Sequence, residues 1–240
     1  NMLPEQIGLI DAMTIAGKMR KMNLINFEFD LDDRYNFWTG TTAALFLFLS
    51  YFGTDQSQVQ RYLTGKSLSE SRLGLIMNGL LKVPMQFIIL FIAVLVFVFY
   101  QFNTPPVFFN KVELEQLKQS EYKMSVIELE DRFSTLHEEK KRAIDLMISN
   151  QSKKVNDEIL DQKILDLEDE MMEVRQDVKV LVKLNNPTAE INDKDYIFMS
   201  YVMDYLPHGI IGLLFAVMFS AAMSSTASEL NALASTTTVD

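Results

Sequence analysis

The chain has 240 residues, 48% of them hydrophobic, and 32 acidic against 22 basic side chains give a formal net charge of −10. The absence of cysteine excludes disulfides and thiolate metal sites, and no basic stripe of the kind that holds nucleic acid is present. Charge and hydrophobicity are segregated: −2 over 1–36 (4 basic, 6 acidic), +2 over 37–103 (4 and 2), −7 over 104–195 (14 and 21) and −3 over 196–240 (0 and 3). Three blocks are therefore lipid-compatible and one is densely charged. No nucleophile-and-base pair or metal-ligand cluster stands out, so the reading is not an enzyme. Asn1 opens into polar sequence with no signal peptide, and Asp240 follows a helical pattern without a stop signal, so the expectation is a fragment of a longer chain.

Residues 1–36 scatter Ile7, Leu9, Ile10, Met13 and Ile15 among charges, which predicts a short amphipathic helix at a membrane surface, then an extended loop over 27–34 with period-two alternation. From Phe37 to Phe52 the chain turns apolar, with Trp38 placed as an interfacial anchor. This run is short for a full crossing, so the helix is expected to continue through Thr54, Asp55 and Gln56. Asp55 then either faces the protein interior or a watery cavity, or lies at the headgroups or caps a helix end. Arg61, Lys66 and Arg72, with one acid, Glu70, mark a short cytoplasmic loop by the positive-inside rule. A second span is expected from Leu75 to Phe102, with Lys82 in its first turns, where its ammonium can snorkel to the interface.

Residues 112–184 carry apolar positions at three-four spacing. Val126, Leu129, Phe133, Leu136, Ala143 and Met147 form one stripe, interrupted by Lys140, whose head is expected to reach out of the seam. Leu160, Ile164, Leu167, Met171, Val174, Val178 and Leu181 form the other. With a break at 149–152 and a stop at Asn185-Asn-Pro187, this predicts an antiparallel coiled-coil hairpin about 45–55 Å long at 1.5 Å per residue, outside the cytoplasm. Asp193 to Leu206 reads as an interfacial helix, with His208 as a turn residue before the third span. That span lacks Lys and Arg and runs into Ser224-Ser-Thr-Ala-Ser228. Ser224 and Ser225 stand three and four residues after Ala221, so in a helix their hydroxyls rise beside its carbonyl. The oxygen patch suits a small hard cation; equally, small residues and hydroxyls let membrane helices pack closely.

Three stretches together resemble the sodium:solute symporters, the family of the sodium/glucose, sodium/iodide and sodium/multivitamin transporters. They are Tyr51-Phe-Gly-Thr-Asp-Gln-Ser-Gln-Val-Gln-Arg-Tyr-Leu-Thr-Gly-Lys66, Gly79-Leu-Leu-Lys-Val-Pro84, and Leu206-Pro-His-Gly-Ile-Ile-Gly-Leu-Leu-Phe-Ala-Val-Met-Phe-Ser-Ala-Ala-Met-Ser-Ser-Thr-Ala-Ser-Glu-Leu-Asn231. The resemblance covers the spans and leaves out the hairpin, which reads as an insertion. It implies an all-α, inverted-repeat (five-plus-five) transporter fold, of which the sixth, seventh and eighth core helices are present and the remaining transmembrane helices are partners. It further implies that Ala221, Ser224 and Ser225 form half of a Na+ site, that Tyr51, Phe52 and Lys82 stand near a small-molecule solute, and that Thr54, Asp55 and Gln56 are supporting polar groups. Phe52 replaces a Trp of the sugar carriers, and Gln56 to Leu63 is closer to the anion and vitamin carriers, which leaves the solute open between a sugar-like compound and an organic anion.

The expected organisation is a loop with a short helix (1–36), two transmembrane helices joined by a cytoplasmic loop (37–103), the hairpin (104–192), and an interfacial helix with the third span (193–240). The function expected is sodium-coupled import by alternating access across the cell membrane, in contact with the lipid bilayer. The other reading is a membrane-anchored coiled-coil scaffold or sensor whose hairpin docks a protein partner.

Overall fold

The computed structural model describes residues 7–22, 27–30, 36–63, 67–152 and 157–239. The regular elements among them are helices: α1 (Leu9–Lys18), α2 (Phe37–Gly53), α3 (Gln56–Leu63), α4 (Leu68–Phe102), α5 (Lys111–Lys118), α6 (Lys123–Ser152), α7 (Glu158–Asn185), α8 (Lys194–Tyr205) and α9 (His208–Val239). They fall into two compact units, residues 1–22 with 91–205 and residues 23–90 with 206–240, the division lying inside α4.

In the first unit α6 and α7 pack side by side and run antiparallel. Val126 and Phe133 on α6 share a core with Val174, Val178 and Val182 on α7, while Ala143, Ile144 and Met147 meet Ile164 at the other end. Three-four spacing puts these side chains on one face of each helix, and burying that face holds such a pair together. The break expected at 149–152 is absent: α6 runs through Ser152, and α7 begins after Asp157, whose Oδ1 accepts the Leu160 N–H at 3.1 Å. Residues 153–156 lie outside the described ones.

The seam is shared with other elements. α1 inserts Ala12, Ile15 and Ala16 beside Val98 and Phe102 of α4 and Ile144 of α6. Its inner face thus meets protein, although the sequence pattern pointed to a membrane surface; Leu9, Ile10 and Met13 remain on the exposed face. α5, capped by Asn110 Oδ1 accepting the Glu113 N–H at 3.4 Å, seats Leu114 and Leu117 in the core of the α6–α7 pair. Lys140 does not reach out of the seam: it is 2% exposed and donates to Glu168 at 2.7 Å, because a carboxylate on the facing helix supplies the partner that a buried ammonium needs. His137 and Ile144, off the expected stripe, are fully buried. At the end of α4, Phe99 and Tyr100 form an edge-on aromatic cluster with Tyr201 and Tyr205 of α8, ring centroids 4.6–6.5 Å apart. Asp193, which leads into α8, accepts the Phe109 N–H at 3.0 Å and pairs with Lys179 at 3.0 Å.

In the second unit α2 and much of α9 are apolar on all sides, whereas α3 is polar. Phe46, Leu47, Phe48 and Leu49 on α2 are each more than half exposed, as are Leu213, Val217, Met218 and Phe219 on α9. A helix that is apolar on all sides fits lipid or neighbouring membrane helices, not water. Among the described residues two helices are long and apolar enough to cross a membrane, Leu68–Phe102 and His208–Thr238. α2 has 17 residues, about 26 Å at 1.5 Å per residue, a little less than a hydrocarbon core of about 30 Å.

The expected continuation of α2 through Thr54, Asp55 and Gln56 does not occur. α2 stops at Gly53, Asp55 stands between the helices, and α3 starts at Gln56. The reason is local: Asp55 Oδ1 takes the Ser57 backbone N–H at 3.0 Å and its hydroxyl at 2.8 Å, the contact that starts a new helix. α4 begins at Leu68, so Arg72 lies on a helix and not in the expected loop, while Lys66 lies outside the described residues. The helix runs through Pro84, which membrane helices tolerate when the freed carbonyl finds other partners. His208 is the first residue of α9.

Candidate functional site

The residues that sequence singles out lie in the second unit, on α2, α3, α4 and α9. At the end of α2, Tyr51 and Phe52 stack edge to face with ring centroids 5.0 Å apart, and Phe48 extends the aromatic row at 6.1 Å from Phe52. Lys82 projects from α4 and holds its ammonium 5.4 Å above the Tyr51 ring. Residues 31 positions apart in sequence thereby form one cation and aromatic pair, an attraction of about 0.5–1 kcal/mol when exposed and about 2 or more when water is excluded. Phe52 is 48% exposed, so the pair presents an open aromatic face rather than a closed pocket.

Thr54 and Gln56 are exposed and Asp55 is half-buried. The Asp55 carboxylate is committed to starting α3, which packs against α9. Ser57, buried beneath that carboxylate, was not among the residues read as functional. The signal for it is an Asp followed two residues later by a hydroxyl at the end of an apolar run, an Asx-type cap.

Ala221, Ser224 and Ser225 occupy adjacent turns on the exposed surface of α9. The neighbouring hydroxyls bond back along the helix: Thr226 Oγ1 donates to the Ala222 carbonyl at 2.9 Å and Ser228 Oγ to the Ser224 carbonyl at 3.0 Å. Such back-bonding satisfies hydroxyls without a second helix and concentrates oxygen on the helix surface. The structure brings Tyr51 to Lys82 but joins neither Ser224 nor Ser225 to them by a hydrogen bond among the described residues. No group of three or more His, Asp or Glu that could hold a metal occurs among the described residues; at Ala221, Ser224 and Ser225 themselves the oxygens available to a cation are carbonyls and hydroxyls.

The architecture and these residues belong to a helical chain with two membrane-length helices and polar groups set into apolar ones. Its relatives are sodium-coupled transporters. The chain is 35% identical to the human sodium/iodide cotransporter over 66 residues, 28% of this chain and 10% of that protein. It is 38% identical to human sodium-coupled monocarboxylate transporter 1 over 58 residues, 24% of the chain and 10% of the relative. To mouse sodium-coupled monocarboxylate transporter 2 it is 30% identical over 71 residues, 30% of the chain and 12% of the relative. The matched stretch spans about a tenth of the length of these relatives. No family model and no solved structure matches the chain.

Proposed function

We propose that the chain is part of a sodium-coupled secondary transporter of a small organic solute, sugar-like or an organic anion, working by alternating access in the cell membrane. The observation that carries this reading is the likeness to sodium-coupled iodide and monocarboxylate transporters at 30–38% identity. A lysine and a hydroxyl-rich patch set into apolar helices support it, because polar groups at such positions are costly unless they are used. A scaffold that needs only an anchor has no use for them.

In this reading the fold is the inverted-repeat arrangement, and α2, α4 and α9 are three of its core helices. The Ala221 carbonyl and the Ser224 and Ser225 hydroxyls offer oxygen ligands to the coupling Na+, with further ligands from helices outside this chain. Tyr51, Phe52 and Lys82 form one wall of the solute path, where an ammonium over an aromatic ring can meet a carboxylate or hydroxyl and the rings can meet an apolar body. Each inward Na+ contributes about 2.3 kcal/mol per 100 mV of membrane potential, besides its concentration gradient, to solute uptake. The α6–α7 pair stands outside the cytoplasm. Replacing Ser224 and Ser225 by Ala in the complete protein should abolish sodium-dependent uptake at normal expression. Retention of full sodium dependence would refute the assignment.

A further inference from the structure

The first unit contains a cavity of about 220 Å³ between α4, α6 and α7 whose chemistry the transport reading does not use. None of Tyr51, Phe52, Lys82, Ala221, Ser224 or Ser225 lines it. Its walls are largely apolar, with Phe97, Phe109, Phe133, Met171 and Ile197 contributing. Four charged side chains face it as well: Lys21, Lys140, Arg175 and a single carboxylate, Glu168.

Each charge is held in place. Lys140 is bound to Glu168 at 2.7 Å. The Arg175 guanidinium sits 5.0 Å from the Phe109 and Phe133 rings and donates to the Pro106 carbonyl at 2.9 Å. Asp193, 3.7 Å from Arg175, is shared with Lys179 at 3.0 Å. Lys21, on an exposed stretch, lays its ammonium 5.2 Å over the Phe97 ring. Three cations thus face one carboxylate. In a low-dielectric wall that excess positive charge favours an anion. Burial, the largest single effect on Glu168, pushes its carboxyl up, but Lys140, through charge and hydrogen bond, together with Lys21 and Arg175 outweighs it and holds the carboxyl below the usual range.

Two residues of this lining, Tyr100 and Gln101, each carry a buried polar atom without a hydrogen-bond partner among the described residues, the Tyr100 hydroxyl and Gln101 Oε1. Tyr100 is 6% exposed and Gln101 3%. The Gln101 amide nitrogen is already used, donating to the Phe97 carbonyl at 3.0 Å, so its free end is an acceptor. Buried polar groups are ordinarily paired, and two unpaired ones on residues that line one aromatic-walled cavity offer partners for a ligand's own polar atoms.

We propose that this cavity binds a small aromatic or similarly flat organic carboxylate bearing a hydrogen-bonding group such as a hydroxyl. Excess cationic charge selects the carboxylate, the Phe and Met walls select the flat apolar body, and Tyr100 with Gln101 selects the hydroxyl. The volume is below the range of about 300–1,000 Å³ found for drug-sized ligands, which limits the occupant to a fragment of that size class. None of the cavity's lining residues is among those proposed for the transport path.

The test is calorimetric titration of the 240-residue chain in detergent with 4-hydroxybenzoate, empty micelles being subtracted, alongside the neutral isostere 4-hydroxybenzamide and inorganic phosphate. Saturable one-to-one binding of the carboxylate is expected, at least tenfold weaker binding of the amide, and no competition from phosphate. Lys21→Ala, an exposed substitution that leaves the core untouched, should weaken binding at least fivefold with the helical circular-dichroism signal unchanged. Absence of saturable binding, equal affinity for the amide, effective competition by phosphate, or unchanged affinity in Lys21→Ala would each overturn the proposal. These readouts need no sodium gradient, so they stand or fall apart from the uptake experiment on Ser224 and Ser225.

Discussion

The Lys140 ammonium and the Glu168 carboxylate meet at 2.7 Å between α6 and α7, with the lysine side chain 3% and the glutamate 20% exposed. Burial pushes the ammonium below the usual lysine range, and the glutamate offsets only part of that. Removing one partner of such a pair strands the other charge, whereas replacing both by apolar side chains removes the desolvation cost together with the attraction. Glu168→Gln should therefore destabilise the first unit by about 3 kcal/mol, the low end expected for a buried pair with some solvent access. Lys140→Met with Glu168→Leu should recover most of that loss. Urea unfolding of the chain in detergent, followed by helical circular dichroism, makes the comparison; a double variant as unstable as the single one would contradict it.

A second prediction concerns pH. His137 is fully buried; its Nε2 lies 2.9 Å from the Tyr100 carbonyl and its Nδ1 3.2 Å from the Thr104 hydroxyl. A carbonyl only accepts, so Nε2 carries the proton and Nδ1 accepts from the hydroxyl. Burial pushes the imidazole below its ordinary value, against the opposing bond to Tyr100. The folded state thus binds fewer protons than the unfolded one once pH falls through the unfolded value of about 6.5. The contribution is present in full above that value and is lost progressively as pH falls towards the lower folded value. The urea midpoint should hold between pH 8 and 7 and drop towards pH 5. His137→Gln, which keeps a donor for the Tyr100 carbonyl, should flatten the profile, and an unchanged slope would place the titration elsewhere.

The α6–α7 seam was legible because three-four spacing reports directly which residues share a helix face. What shares that core was not: Ala12 and Ile144 are far apart in sequence, and no periodicity encodes their meeting. Lys140 read as a misfit on the stripe for the same reason, since its partner lies on another helix. In the second unit the apolar runs announced the helices; the run's shortness led to the expectation that α2 continues through Gln56, whereas the other reading left open for Asp55, a helix cap, is the one the structure shows. That Tyr51 and Lys82 stand near one solute was implied only by resemblance, and their contact was not foreseen; in the structure the Lys82 ammonium lies over the Tyr51 ring.

Asp55 gives a third prediction. Its bond to the Ser57 N–H is a cap, which Asn can make and Ala cannot; losing a cap costs about 1 kcal/mol. In the complete protein Asp55→Asn should retain sodium-dependent uptake, and Asp55→Ala should reduce it together with the thermal stability of the purified protein. Loss of uptake in Asp55→Asn at unchanged stability would show that the negative charge itself is required.

The last prediction tests what holds α1. Its 10 residues fall short of the roughly 12–15 at which isolated helices are even marginal in water, so packing must hold it. Ala12 and Ala16 lie one turn apart, are fully buried, and let the helix approach Val98, Phe102 and Ile144 closely. The ion pair of Lys18 with Asp161, at 2.7 Å and with both side chains 25–29% exposed, is of the part-exposed kind that contributes about 0–1 kcal/mol. Packing should therefore dominate. Ala16→Leu forces three extra carbons into the contact and should cost about 1–3 kcal/mol, read as lost amide hydrogen-exchange protection across α1 with α6 and α7 as the internal reference. Lys18→Met should change that protection little, because the methionine keeps the apolar stem. If the charge substitution releases α1 and Ala16→Leu leaves it protected, the ion pair and not the alanine face docks the helix.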